Sequence, residues 1–227
     1  QNAGQVIGVI AHETGHIAGG HLSRTRDAMK KSSAASILAM VLGGVAVMSG
    51  RGDVGSAIIA GGQQMGTRNF LQYSRTQESA ADAAAMRFLD ATQQSANGML
   101  EFFEILGDQE LLSVTRQDPY YRSHPLTRER KVAVENFILR SPNTDRPEPP
   151  GFEERHGRMK AKLEAFLNPV SRTLRTYKED DPSLEARYAR AIAYYRRPDL
   201  ERAIPLIDGL IAERPADPYF QELKGQM

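Results

Sequence analysis

His12-Glu13-Thr14-Gly15-His16 is the stretch of this 227-residue chain whose residue types and spacing are best suited to chemistry. On an α-helix His12 and His16 stand one turn apart on the same side, so both imidazoles can reach one cation at about 2.0–2.1 Å. Such donors suit zinc. Glu13, beside the first donor, can then act as general base toward a water whose acidity the metal raises, an arrangement fitted to peptide hydrolysis. The spacing arises by chance in about one such chain in a hundred, and the plain alternative is a pair of hydrogen-bonded histidines on an apolar helix.

Two donors do not hold a catalytic zinc, and a third must come from elsewhere in the chain, leaving a position open. His21 follows His16 by five residues, outside the register of a metzincin third histidine, and is the weaker candidate. Glu78 lies 66 residues after His12, on a helix predicted over about 68–89 whose small residues permit close packing against the first. Asp82, one turn further, is placed to accept the free ring N–H of a ligating histidine and so fix its tautomer. Its plain alternative is an i,i+4 surface pair. His12, His16 and Glu78 together would hold one zinc per chain.

The elements that must position these residues read as helices. An apolar run from Gln5 to Ala11 leads without a breaker into the histidine pair, predicting a buried helix over about 3–20, ended by Gly19-Gly20. A basic group, Arg24, Arg26, Lys30 and Lys31, precedes the uncharged run 34–48. That run is shorter than the roughly 20 residues of a spanning helix, so it is not expected to cross a membrane. The favoured reading packs it as a core helix or hairpin over the catalytic part. The other lays it on a membrane surface, with the basic residues on anionic lipid. Residues 50–66 are glycine-rich and precede the helix expected from about 68, and further helices are expected over 97–107 and 127–140.

Four prolines among polar residues mark 141–151 as a linker. Beyond it, a 34-residue unit starting at Leu184 puts Ala191, Tyr194, Ala203 and Pro215 at tetratricopeptide positions, with a second unit begun near Pro218. The expected organisation is a catalytic domain over 1–140, the linker 141–151, and a helical tetratricopeptide-like region over 152–227 in which the array is cut short. The fold class expected is mainly α, with little sheet.

Composition narrows the chemistry. A net charge of +1 excludes nucleic acid as the main partner, and the absence of cysteine confines any metal to His, Asp and Glu. The chain opens at Gln1 without an initiator methionine or a signal-peptide pattern, and reads as a piece lacking the N-terminal part of its catalytic domain.

His-Glu-x-x-His followed by Arg75-x-x-Glu78-x-x-Ala81-Asp82 resembles the HtpX-like and CAAX-prenyl-protease-like zinc metallopeptidases. Ser123-His124-Pro125-Leu126-Thr127-Arg128 is similar to a third signature of that family. With a tetratricopeptide-like tail, the chain resembles the soluble periplasmic BepA-like branch more than the multi-span membrane members. The resemblance implies His12, His16 and Glu78 as zinc ligands, Glu13 as general base, and Asp82 behind a ligand. It implies a zinc endopeptidase acting on protein substrates in envelope quality control or outer-membrane protein assembly, periplasmic, with a protein partner on its repeat region. His124 and Arg128 are candidate oxyanion donors. His124, a good ligand on an expected loop, could instead fill the metal's open position at rest. A chaperone-like binding factor with a secondary zinc site is the alternative function, and an inert helical repeat protein the third.

Overall fold

The computed structural model describes residues 2–109, 116, 120 and 123–227, and among them every regular element is a helix. These are α1 (Ala3–Ala18), α2 (His21–Met48), α3 (Gly52–Ala91), α4 (Asn97–Gln109), α5 (Arg128–Ile138), α6 (Phe152–Leu167), α7 (Val170–Thr176), α8 (Leu184–Arg196), α9 (Leu200–Glu213) and α10 (Pro218–Gln226). The mainly α class is therefore borne out, and no strand occurs among the described residues.

The chain divides into two compact units, Gln1–Glu148 and Pro149–Met227. In the first, α1 packs against α3 and α4, and α5 packs against α3 and α4. Its core gathers Ala11, Ala85, Leu89, Met99, Phe103, Leu106 and Val134. Burying each of the larger side chains contributes about 1.5–3 kcal/mol. Asn2 opens α1 with a reciprocal cap: its side chain accepts from the Gln5 amide at 2.9 Å, and the Gln5 side chain accepts from the Asn2 amide at 3.2 Å. Gly15 lets α1 sit directly on α3, because a Cβ there would lie 2.6 Å from the Ala81 carbonyl oxygen. The small residue inside the histidine motif is thus what brings the two metal-facing helices together.

Two expectations need correction here. The helix expected from about 68 begins earlier: from Gly52 the glycine-rich residues belong to α3, a 40-residue helix. Their glycines serve close packing, since a Cβ on Gly55 would run into the Gly43 carbonyl and the Val47 backbone of α2. The apolar run 34–48 is neither core nor a hairpin in itself: it lies within α2, one leg of the α2–α3 hairpin, and Ile37, Leu38, Met40, Val41, Leu42, Val45 and Val47 are exposed. The length argument also fails, because the run sits in a 28-residue helix that is long and apolar enough to cross a membrane.

The second unit is built on Ala161, Ala165, Tyr188, Ala191, Ile192, Ile207, Leu210, Phe220 and Leu223. Helices α8 and α9 pack on each other, with Ala191 and Ala203 fully buried and Tyr194 nearly so. Asp217 caps α10 by accepting from the Tyr219 amide at 3.0 Å, with Pro218 at its first turn.

Candidate metal centre

Two helices and one loop deliver the expected residues to one point. Helix α1 brings His12 and His16, α3 brings Glu78, and the segment before α5 brings His124; one donor atom from each lies within 4.8 Å of the others. The two Nε2 atoms are 3.0 Å apart, His12 Nε2 is 3.4 Å from Glu78 Oε2, and His16 Nε2 is 3.3 Å from Glu78 Oε1. A tetrahedral cation with bonds of about 2.0–2.1 Å needs donors spaced by roughly 3.3 Å, so the set is the right size for zinc.

The far side of each ligand is already occupied. His12 Nδ1 meets Asp82 Oδ1 at 2.8 Å, which leaves its Nε2 for the cluster. His16 Nδ1 meets His21 Nδ1 at 2.9 Å, with the same result for the second ring. His21 is therefore outside the four-donor set and stands behind His16; burial first, then the neighbouring His16 and Arg24, lowers its pKa.

Asp82 and Glu78 are almost fully buried carboxylates and need a cation. Arg130, itself buried, supplies it: its Nε donates to Asp82 Oδ2 at 2.6 Å, one Nη donates to Asp82 Oδ1 at 2.9 Å, and the other lies 3.0 Å from Glu78 Oε2. That second Nη also donates to the Pro125 carbonyl at 2.9 Å, tying the His124 segment to the cluster, and the guanidinium lies over the Phe103 ring. Burial works against the Arg130 charge, but the two carboxylates outweigh it and raise its pKa. Burial would also raise the Glu78 pKa, yet hydrogen bonds from three histidines, together with Arg130, hold it well below the usual carboxylate range. For His12, burial opposes the charged form, but Asp82 and Glu78 overcome it and lift the pKa from 6.5 to about 9 in the metal-free protein.

Glu13 is half-buried and stays out of the donor set, as expected of a base. The Tyr120 hydroxyl donates to Glu13 Oε1 at 2.8 Å, and Tyr120 stacks on the His124 ring, whose Nε2 is 3.7 Å from Glu13 Oε1. Burial first, then the Glu13 carboxylate, pushes the Tyr120 pKa up, so it remains a donor. His124 Nδ1 is 3.2 Å from both Glu78 oxygens.

Arg128 is the candidate that the structure does not bring in. It is exposed and lines a surface hollow with Glu129, Val132, Ala133 and Asn136. Two residues apart on a helix means roughly opposite faces, and the inward face of α5 is the one shared by Arg130 and fully buried Val134. Arg130 could have been found from that i,i+4 pairing with Val134; Tyr120 sits in a stretch whose pattern carries no such signal.

The profile of Peptidase family M48 matches residues 1–138, more than half of the chain. The chain belongs to that family. The resemblance read from the three motifs is thereby borne out. Two curated relatives agree with it. A protein of Vibrio cholerae serotype O1, provisionally named beta-barrel assembly-enhancing protease, is 24% identical over 97% of this chain and 46% of its own length. The beta-barrel assembly-enhancing protease of Yersinia pestis is 21% identical over 98% of this chain and 46% of its own. The M48 chain described here spans about half the length of these relatives. No solved structure gives a significant match.

Proposed function

We propose that this M48 chain is a zinc-dependent endopeptidase of the BepA-like branch, with His12, His16 and Glu78 as zinc ligands and Glu13 as general base. The observation that carries the reading is the meeting of these donors from α1 and α3 at tetrahedral spacing, with Glu13 held just outside them. Zinc, when bound, polarises a scissile carbonyl and acidifies a water. Glu13 takes the proton, and Tyr120 fixes the carboxylate that receives it. Asp82 and His21 hold the ligand rings, and Arg130 pairs with the two buried carboxylates.

The cleft for substrate is a cavity of about 640 Å³ beside the centre, lined by Glu13, His16, Leu22, Phe70, Leu71 and His124 among others. Its apolar walls suit the side chains of an unfolded protein segment. By analogy with the relatives' names, the substrates are proteins of β-barrel assembly, and the location is the periplasm. The second unit, read as tetratricopeptide-like, would receive a protein partner, and the boundary between catalytic and repeat regions lies in 141–151.

We read His124, whose Nδ1 lies 3.2 Å from both Glu78 oxygens, as filling the fourth donor position at rest, so that the site stays closed until the His124 segment moves. That favours a latent protease over one that is always open, and gives the chaperone-like alternative its one structural support.

Glu13→Gln tests the reading. It keeps the ligands and removes the base, so zinc content should stay at one per chain while cleavage of an unfolded protein substrate falls by about 10²–10⁴. Unchanged cleavage would refute the enzymatic role. His124→Ala should raise cleavage if the residue is a latch and lower it if it is an oxyanion donor.

A further inference from the structure

We propose that the α2–α3 hairpin inserts its distal half into an anionic lipid bilayer, holding the metal-site cleft at the membrane surface. The legs are free of charge over 32–50 and 54–67, with Arg51 and Asp53 together at the turn. At about 1.5 Å per residue the first leg is roughly 28 Å long, close to the hydrocarbon thickness of a bilayer.

How the hairpin is packed favours lipid over a protein partner. The legs meet along small residues: Gly43 against Gly55 and Ile59, and Gly66 against Ser32 and Ser36. Of the larger apolar side chains Ile59 and Val47 reach into that seam, and most of the others point outward. Ile37, Leu38, Met40, Val41, Leu42 and Val45, all exposed, wrap more than half of the α2 circumference, and Ile58 and Met65 are exposed on α3. A helical partner or a second copy would cover one stripe. Hydrocarbon covers every side, and helices meeting through small residues are the packing it favours.

Charge sets the depth. Arg24, Arg26, Lys30, Lys31 and Arg68 are all exposed near the base of the apolar region, against Asp27 alone among nearby acids. The contact of Gly66 with Ser32 and Ser36 brings Arg68 to the level of Lys30 and Lys31, where anionic headgroups would meet them. Thr25, Phe70 and Leu71 line the cleft just below that level, with Thr25 about 9 Å along α2 from Lys31. A protein segment emerging from the membrane surface would reach the metal site directly.

The test is flotation of the whole chain with vesicles of equal parts phosphatidylcholine and phosphatidylglycerol. Wild type should rise with the vesicles, and Leu38→Glu/Val41→Glu should partition at least about tenfold less while melting at the same temperature. The chain has no tryptophan, so Ile37→Trp supplies a single reporter whose emission brominated lipid should quench. Wild type remaining at the bottom, equal flotation of the double variant, or an unquenched reporter would overturn the proposal. A wild-type dimer that the double variant splits, without flotation, would assign the surface to a second copy instead. None of these readouts depends on peptidase activity.

Discussion

One helix, α3, contains two regions that handle polarity in opposite ways. Between Gln77 and Leu89 it buries Glu78 and Asp82 among alanines, each charge met by Arg130 or a histidine. Between Gly52 and Gly66 it exposes Ile58 and Met65 and buries mainly glycine. The comparison teaches that burial follows from partners. A carboxylate goes inside where cations converge on it, and an apolar side chain stays outside where no second layer is present to cover it.

The largest effect should come from removing the shared cation of the proximal region. Arg130→Met leaves two buried carboxylates with only histidines as partners and should cost about 3–5 kcal/mol of stability in denaturant unfolding of the metal-free protein. A loss below 1 kcal/mol would mean that the cluster is wetter than its geometry implies. Asp82→Asn is smaller and sharper: it should weaken zinc binding by about 10–100-fold in chelator competition, through the orientation of the His12 ring.

Acidity adds a third test. The His12 pKa is raised from 6.5 to about 9 without metal, so its contribution to the metal-free fold is complete below 6.5 and is lost as pH rises through about 9. Metal must displace that proton. Apparent zinc affinity should therefore climb by about tenfold per pH unit between these values and level off above, measured by titration calorimetry at several pH values. Flat affinity over this range would place the proton elsewhere. The smallest effect belongs to the distal region, where Leu38→Glu should change stability in solution by no more than about 0.5 kcal/mol. A large loss there would show that the hairpin surface is covered after all.

Much of the proximal region was legible beforehand because it is written in spacing. His12 with His16, and Glu78 with Asp82, are each one helical turn apart, and a turn of helix is the strongest pattern a chain displays. His124 was legible through its motif. Arg128 was read from the same motif, whereas the arginine that enters the site, Arg130, lies two residues on, on the helix face fixed by Val134 at the next turn. Tyr120 left no trace, since its position depends on a contact with Glu13 across 107 residues. The hairpin was missed because the helix was expected to start only after the glycine-rich stretch, at about 68. In α3 those glycines are close-packing positions, which only the facing helix reveals.

The central claim is that His12, His16 and Glu78 bind one zinc together, and metal content after exhaustive dialysis tests it most directly. Wild type should retain one zinc per chain by mass spectrometry of the purified protein, and Glu78→Ala should retain almost none. Wild type without stoichiometric zinc, or Glu78→Ala with as much as wild type, would contradict the account.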